Sequence, residues 1–164
     1  MDQDWIERVV ERWSSLEPGL DLEAYLVTGR ISRIAAHIAR SQEEVFGRYG
    51  LNRGEVGVLN ALRTAGPPHR LSPTQLFKGL MLSSAGMTSR LDRLEARGLV
   101  ARSSDPNDRR GIHVDLTSKG LELVDTVVVT NTEEEKRLLA GLSREDLGSL
   151  ASLLRKLLSQ LEET

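Results

Sequence analysis

The segment that decides the fold runs from residue 83 to residue 116 and reads SSAGMTSRLDRLEARGLVARSSDPNDRRGIHVDL. Its first part predicts a helix, because apolar residues recur at steps of three and four. Ser83 or Ser84 caps this helix, since a serine oxygen can accept the free amide hydrogens of the first turn. Gly98 ends it, as glycine commonly does just beyond the last helical residue. The sequence therefore predicts a capped helix of about four turns in the middle of the chain.

A β-hairpin is predicted directly after this helix. Two short segments, 99–103 and 112–116, have strand character, and the second alternates apolar and polar residues. The run DPND at 105–108 lies between them and is rich in turn-forming residues. A short helix is predicted at 73–80, before the central helix. A short helix, a turn, a second helix and then a hairpin are the order of a winged helix-turn-helix.

The flanks of this lobe are predicted to be helical. Further helices are expected at 2–16, 21–49, 53–64, 117–139 and from 143 towards the C-terminus. The last of these carries an apolar seam near heptad spacing, formed by Leu147, Leu150, Leu154, Leu157 and Leu161. The expected fold is mainly α with a small β-hairpin wing, in one compact domain. It would have N-terminal dimerisation helices at 1–50, the winged lobe at 51–116 and C-terminal dimerisation helices at 117–164.

Composition excludes several classes of protein. The 164 residues are 39% hydrophobic and 28% charged, which suits a folded chain, and they include no cysteine. Disulfide frameworks and thiolate chemistry are therefore excluded. No apolar run approaches the ~20 residues of a membrane span, and the first residues are acidic, so we expect a cytoplasmic protein. The three histidines are far apart in sequence, and neither a metal nor a cofactor is expected.

Charge is unevenly distributed along the chain. The net charge is -2, but residues 63–119 hold ten basic and five acidic residues, and the remainder holds 12 basic and 19 acidic ones. A basic middle between acidic ends indicates a local positive face of the kind that phosphate groups need. On the predicted central helix, Ser89 and Arg93 lie on the face opposite the apolar residues, with Thr88 at the margin of that face, and all three could contact bases or phosphates. Arg109 and Arg110 lie at the predicted hairpin turn, where an arginine can enter a minor groove.

Three motifs in register carry a family resemblance. The runs MTSRLDRLEARGLVAR at 87–102, DPNDRRG at 105–111 and LTSKG at 116–120 resemble the MarR family of transcriptional regulators. The resemblance implies a homodimer with interdigitated terminal helices and two winged lobes that read a palindromic operator. It implies recognition-helix contacts at Ser83, Ser84, Thr88, Ser89 and Arg93. In the wing it implies a minor-groove contact by Arg110, which Asp108 orients, and a backbone contact by Arg109.

The resemblance extends to a branch that includes urate-responsive and PecS-like regulators, and it implies a small aromatic or anionic effector. The ligand residues of that branch map to Trp13, Arg90 and Arg102, but its acidic ligand residue maps to Gly57. Glu55 is two positions away and is expected to point elsewhere on its helix. Each mapped position has an alternative interpretation. Trp13 can serve as a core residue, Arg90 as half of a fixed salt bridge, and Arg102 as a strand residue that pairs with a neighbouring carboxylate.

Together, these observations predict a sequence-specific regulator of transcription, a repressor, that binds double-stranded DNA. The sequence has no glycine-rich phosphate loop, nucleophile elbow or pair of catalytic carboxylates, so no enzyme activity is expected. The alternative function is a helical partner-binding or antirepressor module that uses the leucine seam and never touches DNA.

Overall fold

The computed structural model describes residues 3–80, 84–104 and 111–163, in which the fold is mostly helical with a small sheet. The elements in chain order are α1 (Trp5–Leu16), α2 (Glu23–Gly47), α3 (Arg53–Thr64), β1 (Arg70–Leu71), α4 (Pro73–Leu80), α5 (Ser84–Ala96), β2 (Val100–Ser104), β3 (Ile112–Leu116), α6 (Ser118–Leu138) and α7 (Arg144–Glu162). The predicted fold class is confirmed, and the predicted helix ends differ from these by at most three residues.

The sheet has one strand more than the sequence predicts. β3 lies in the middle, and both β1 and β2 pair with it in antiparallel orientation. The predicted hairpin is the β2–β3 pair, in which Val100 lies opposite Leu116. The additional strand β1 is only Arg70 and Leu71, which is too short to show any periodicity. Its pairing attaches the start of the α4–α5 segment to the wing.

Local capping explains where several helices begin and end. Asn52 accepts the amide hydrogen of Glu55 and Glu55 accepts that of Asn52, which completes a capping box at the start of α3. The predicted capping box of Ser143 and Asp146 is present at the start of α7. Gly98 follows α5 with a φ of 68°, a conformation that side chains rarely adopt, so the predicted stop is confirmed.

The core lies between α3, α5, α6 and the sheet. Leu59 and Leu62 of α3, Leu94 of α5, Val114 of β3 and Val127 of α6 are all fully buried. Because protein cores are densely packed, this cluster fixes α5 relative to the wing. The outward face of α5 therefore has a defined orientation.

A second apolar surface is not covered by the chain itself. No residue of α7 is buried, and Leu153 and Leu161 are 67% and 68% exposed. Val27 and Ile34 of α2 are also more than half exposed. None of the described helices is both long and apolar enough to cross a bilayer. A helix face on which many apolar side chains are exposed usually marks an interaction surface.

Candidate nucleic-acid interface

The helix α5 presents one face to the core and the opposite face to solvent. Met87, Leu91 and Leu94 are buried at helical spacing. The exposed face consists of Thr88, Ser89, Asp92, Arg93 and Ala96. This matches the face on which the sequence predicts contacts to DNA.

Arg93 is half-exposed and is held by two side chains. Its Nε donates to the Glu55 carboxylate at 2.7 Å, and its Nη1 donates to the Ser89 hydroxyl at 2.7 Å. The Arg93 side chain is 51% exposed, whereas that of Glu55 is 7% exposed. The guanidinium therefore lies at the surface of α5 but is anchored to a buried carboxylate of α3.

Glu55 is the residue of this arrangement that the sequence analysis missed. From the sequence, its side chain was expected to point elsewhere on the helix than position 57. The spacing of Asn52 and Glu55 is that of a capping box, which places a glutamate carboxylate back over the start of its own helix. That signal was present in the sequence, but it does not reveal that α5 supplies an arginine to the same carboxylate.

Arg102 joins the wing to α5. Its guanidinium donates to Asp92 at 2.6 Å and also to Glu95, and its backbone amide donates to Glu95 at 3.0 Å. The hydrogen bond to Asp92 is the main cause of the raised pKa of Arg102, against the opposing effect of burial. This geometry agrees with the alternative interpretation, in which Arg102 is a strand residue that pairs with neighbouring carboxylates.

The base of the wing is tied to β1 by a second polar cluster. Asp115 of β3 accepts hydrogen bonds from Ser103 of β2 and from Arg70 of β1. Partial burial alone would raise the pKa of Asp115, but these two hydrogen bonds outweigh it and hold the pKa below its ordinary value. The three strands are thus held together by side chains as well as by backbone pairing.

Several predicted DNA contacts lie outside the described residues. These are Ser83, which precedes α5 in the sequence, and Asp108, Arg109 and Arg110, which belong to the segment that joins β2 to β3. Ser84 is the first residue of α5, and its side chain is likewise outside the description. The described part of the interface is therefore the exposed face of α5 and the two strands that lead to the tip.

Arg90 of α5 lines a cavity beside the first turn of α3. Its Nε lies above Gly54, where a Cβ would come within 2.1 Å of it. That buried nitrogen has no hydrogen-bond partner among the described residues. The cavity has a volume of about 500 Å³, and Glu43, Arg53 and Gly57 also line it. A partly buried cation at a cavity of this size is suited to a small anion.

The three residues predicted to bind an effector do not line one common cavity. Arg102 lines a different cavity of about 380 Å³, together with Phe77 of α4 and Ile112 of β3. Trp13 lines neither of these two cavities and is 48% exposed on α1. In the described part of the chain, no cluster of three or more His, Asp or Glu side chains is arranged to hold a metal ion.

Comparisons with known proteins agree with this architecture. The profile described as "MarR family" matches residues 49–111. The HTH-type transcriptional regulator PecS of Dickeya dadantii is 37% identical over 149 residues, which are 91% of this chain and 90% of PecS.

Two solved structures are also similar. One is a mutant of MarR from Escherichia coli complexed with operator DNA, with a TM-score of 0.72 and 27% identity, covering 85% of this chain and 99% of that one. The other is BpsR of Bordetella bronchiseptica, whose DNA binding is regulated by 6-hydroxynicotinic acid. It has a TM-score of 0.73 and 28% identity, covering 86% of this chain and 97% of that one.

Proposed function

The chain belongs to the MarR family and is a DNA-binding transcriptional regulator, and we propose that it is a homodimeric repressor of a palindromic operator. The observation that carries the proposal is the exposed face of α5, on which Ser89 and the anchored Arg93 stand side by side. Hydroxyl and guanidinium groups are suited to phosphate oxygens and to the acceptors of guanine in a major groove. Regulation of transcription would place the protein in the cytoplasm, and no catalytic role is proposed.

The DNA contacts that we propose come from both parts of the winged lobe. Ser83, Ser84, Thr88, Ser89 and Arg93 would contact the major groove and its phosphates. Arg110 would enter the minor groove with Asp108 beside it, and Arg109 would contact the backbone. The salt bridges of Arg102 support this division, because they fix the strand that leads to the wing tip against the recognition helix.

Homodimer formation is supported by the uncovered apolar surface. A helix of 19 residues with no buried side chain is not stabilised by its own chain, and a second copy of the chain would cover it. We propose that 1–50 and 117–164 form the dimer region and that 51–116 is the DNA-binding lobe. Two-fold symmetry then matches a palindrome, with each lobe on one half-site.

A small anionic or aromatic effector is proposed to bind at the cavity that Arg90 lines. Support comes from the two arginines that line this cavity, Arg90 and Arg53, and from the Nε of Arg90, which is buried over Gly54 and has no hydrogen-bond partner among the described residues. Gly57 also lines this cavity, so a carboxylate is absent at the position where the resembling branch has one. We therefore expect a ligand that needs no acidic partner there. That Trp13 and Arg102 contact the ligand stays a prediction.

The test is selection of DNA from a random 30-base-pair library, followed by fluorescence anisotropy of the enriched duplex. We expect enrichment of a palindrome and salt-sensitive binding. Arg110→Ala is expected to weaken binding about tenfold while sedimentation still shows a dimer. Failure of the protein to enrich any sequence, with an intact dimer, would contradict the proposed function and favour a partner-binding module.

A further inference from the structure

We propose that Glu55 is a positioning residue for DNA recognition. Its buried carboxylate holds the Arg93 guanidinium so that Arg93 and Ser89 present a fixed set of donors to DNA. This inference rests on the proposed function and adds to it a residue that lies beneath the interface rather than on it.

The burial of Glu55 is more than capping requires. Among the described residues, Glu55 is the one charged side chain that is buried, at 5% exposure. The capping box of α1 has the same chemistry, with Asp4 and Glu7, yet the Glu7 side chain is 41% exposed. A carboxylate can therefore cap a helix in this protein while it stays in water. Burying it is costly unless it is paired, and the pairing group is Arg93.

Both carboxylate oxygens of Glu55 are in use. Oε2 accepts the backbone amide of Asn52 at 3.0 Å, and Oε1 accepts Nε of Arg93 at 2.7 Å. The cap fixes the carboxylate to the first turn of α3, and this turn is packed against the core. The Arg93 guanidinium is thus fixed to the core through one charged hydrogen bond of good length.

The anchored end of Arg93 leaves its other end for DNA. A guanidinium has five donor hydrogens. Glu55 takes that of Nε and Ser89 takes one of Nη1, so three are not used by the described residues. Ser89 accepts from Arg93, and its hydroxyl hydrogen can still be donated to an acceptor such as a phosphate oxygen. An anchored side chain loses less conformational freedom on binding than a free one, which favours the DNA that fits its geometry.

A positioning role and a merely neutralising role of Glu55 predict opposite changes in operator affinity when the carboxylate charge is removed. If Glu55 only neutralised Arg93, its removal would raise the affinity for every DNA, because one more positive charge would face the phosphates. If Glu55 positions Arg93, its removal lowers the affinity for the operator while the affinity for unrelated DNA is unchanged or higher. The ratio of the two affinities is a readout that a merely structural role would not move.

The experiment uses Glu55→Gln in the full-length dimer, because glutamine at this position can still cap α3. Affinities are measured by anisotropy for the duplex that the wild type enriches and for a scrambled duplex of the same composition. We expect about a tenfold lower operator affinity and an unchanged or higher affinity for the scrambled duplex. Glu7→Gln is the matched control, because it changes the same kind of capping glutamate beside Arg30, away from α5. It should leave the ratio unchanged.

Two further variants keep the inference open to refutation. In an Arg93→Ala background, Glu55→Gln should have no further effect on the ratio. Arg93→Lys keeps the charge but loses the planar fork, so it should lower the ratio much as Glu55→Gln does. This variant therefore tests the inference even if Glu55→Gln folds poorly. A wild-type ratio in Glu55→Gln or in Arg93→Lys would overturn the positioning role. Absence of any enriched sequence for the wild type would instead refute the proposed function.

Discussion

Replacing Arg102 with methionine tests whether this residue stabilises the wing or serves a ligand. Methionine keeps an unbranched apolar stem at the cavity that Met87 and Leu91 also line, but it removes the salt bridges to Asp92 and Glu95. The backbone hydrogen bond from residue 102 to Glu95 does not depend on the side chain. The change therefore isolates the guanidinium.

The magnitude follows from the exposure of the three side chains. Arg102 is 29% exposed, but Asp92 is 59% and Glu95 is 38% exposed, so water replaces much of each lost interaction. Two partly screened salt bridges that share one guanidinium are worth about 1–2 kcal/mol together. With a urea dependence of roughly 2–3 kcal/mol per molar, the unfolding midpoint should fall by about 0.5 M.

The assay is urea unfolding followed by circular dichroism at one fixed protein concentration, because dimer stability depends on concentration. Arg63→Met is the matched control, since Arg63 and Asp125 form an exposed pair at 2.8 Å on another face. We expect that control to change stability by less than about 0.5 kcal/mol. If Arg102→Met unfolds at the wild-type midpoint, its salt bridges contribute nothing, and the case for Arg102 as a ligand residue becomes the stronger one.

Two further predictions concern the dimer and the base of the wing. Leu154→Glu places a charge on the apolar seam of α7 and should shift the protein from dimer to monomer in sedimentation velocity. Ser152→Glu adds the same charge on the opposite face of the helix and should not. For Asp115, the pKa is lowered in the folded state, so its stabilisation is present above the unfolded pKa of about 4 and is lost as pH falls through the folded pKa. The difference in the free energy of unfolding between wild type and Asp115→Asn should therefore stay constant from about pH 5 to pH 7 and shrink below about pH 4. A difference that stays the same at every pH would contradict the lowered pKa of Asp115.

The elements that were predictable from the sequence are those whose signals are local. The period of Met87, Leu91 and Leu94 gave the buried face of α5, and Gly98 gave its end. The alternation of Ile112, Val114 and Leu116 gave β3. Each of these signals depends on residues within a few positions of one another, which is the range over which periodicity and turn chemistry act.

Pairings between distant segments were not predictable in this way. The strand β1 exists because Arg70 and Leu71 meet β3, where Arg70 lies opposite Asp115, and two residues carry no period of their own. Likewise, Glu55 meets Arg93 across 38 positions. A single sequence shows that both residues are charged but not that the fold brings them together. The interior contacts of a site are thus harder to predict than its exposed face.

The first turn of α3 connects the two sites proposed for this protein. Arg53 and Gly54 of that turn line the cavity beside Arg90, and Glu55 of the same turn anchors Arg93. A ligand that shifts this turn would act directly on the residue that orients the DNA-binding guanidinium. Because coupling between two sites is reciprocal, a ligand that lowers operator affinity by some factor must itself bind more weakly to the DNA-bound protein by that factor. In Glu55→Gln, where the connection to Arg93 is cut, that factor should fall towards one. If the full factor persists in the variant, the coupling does not pass through Glu55.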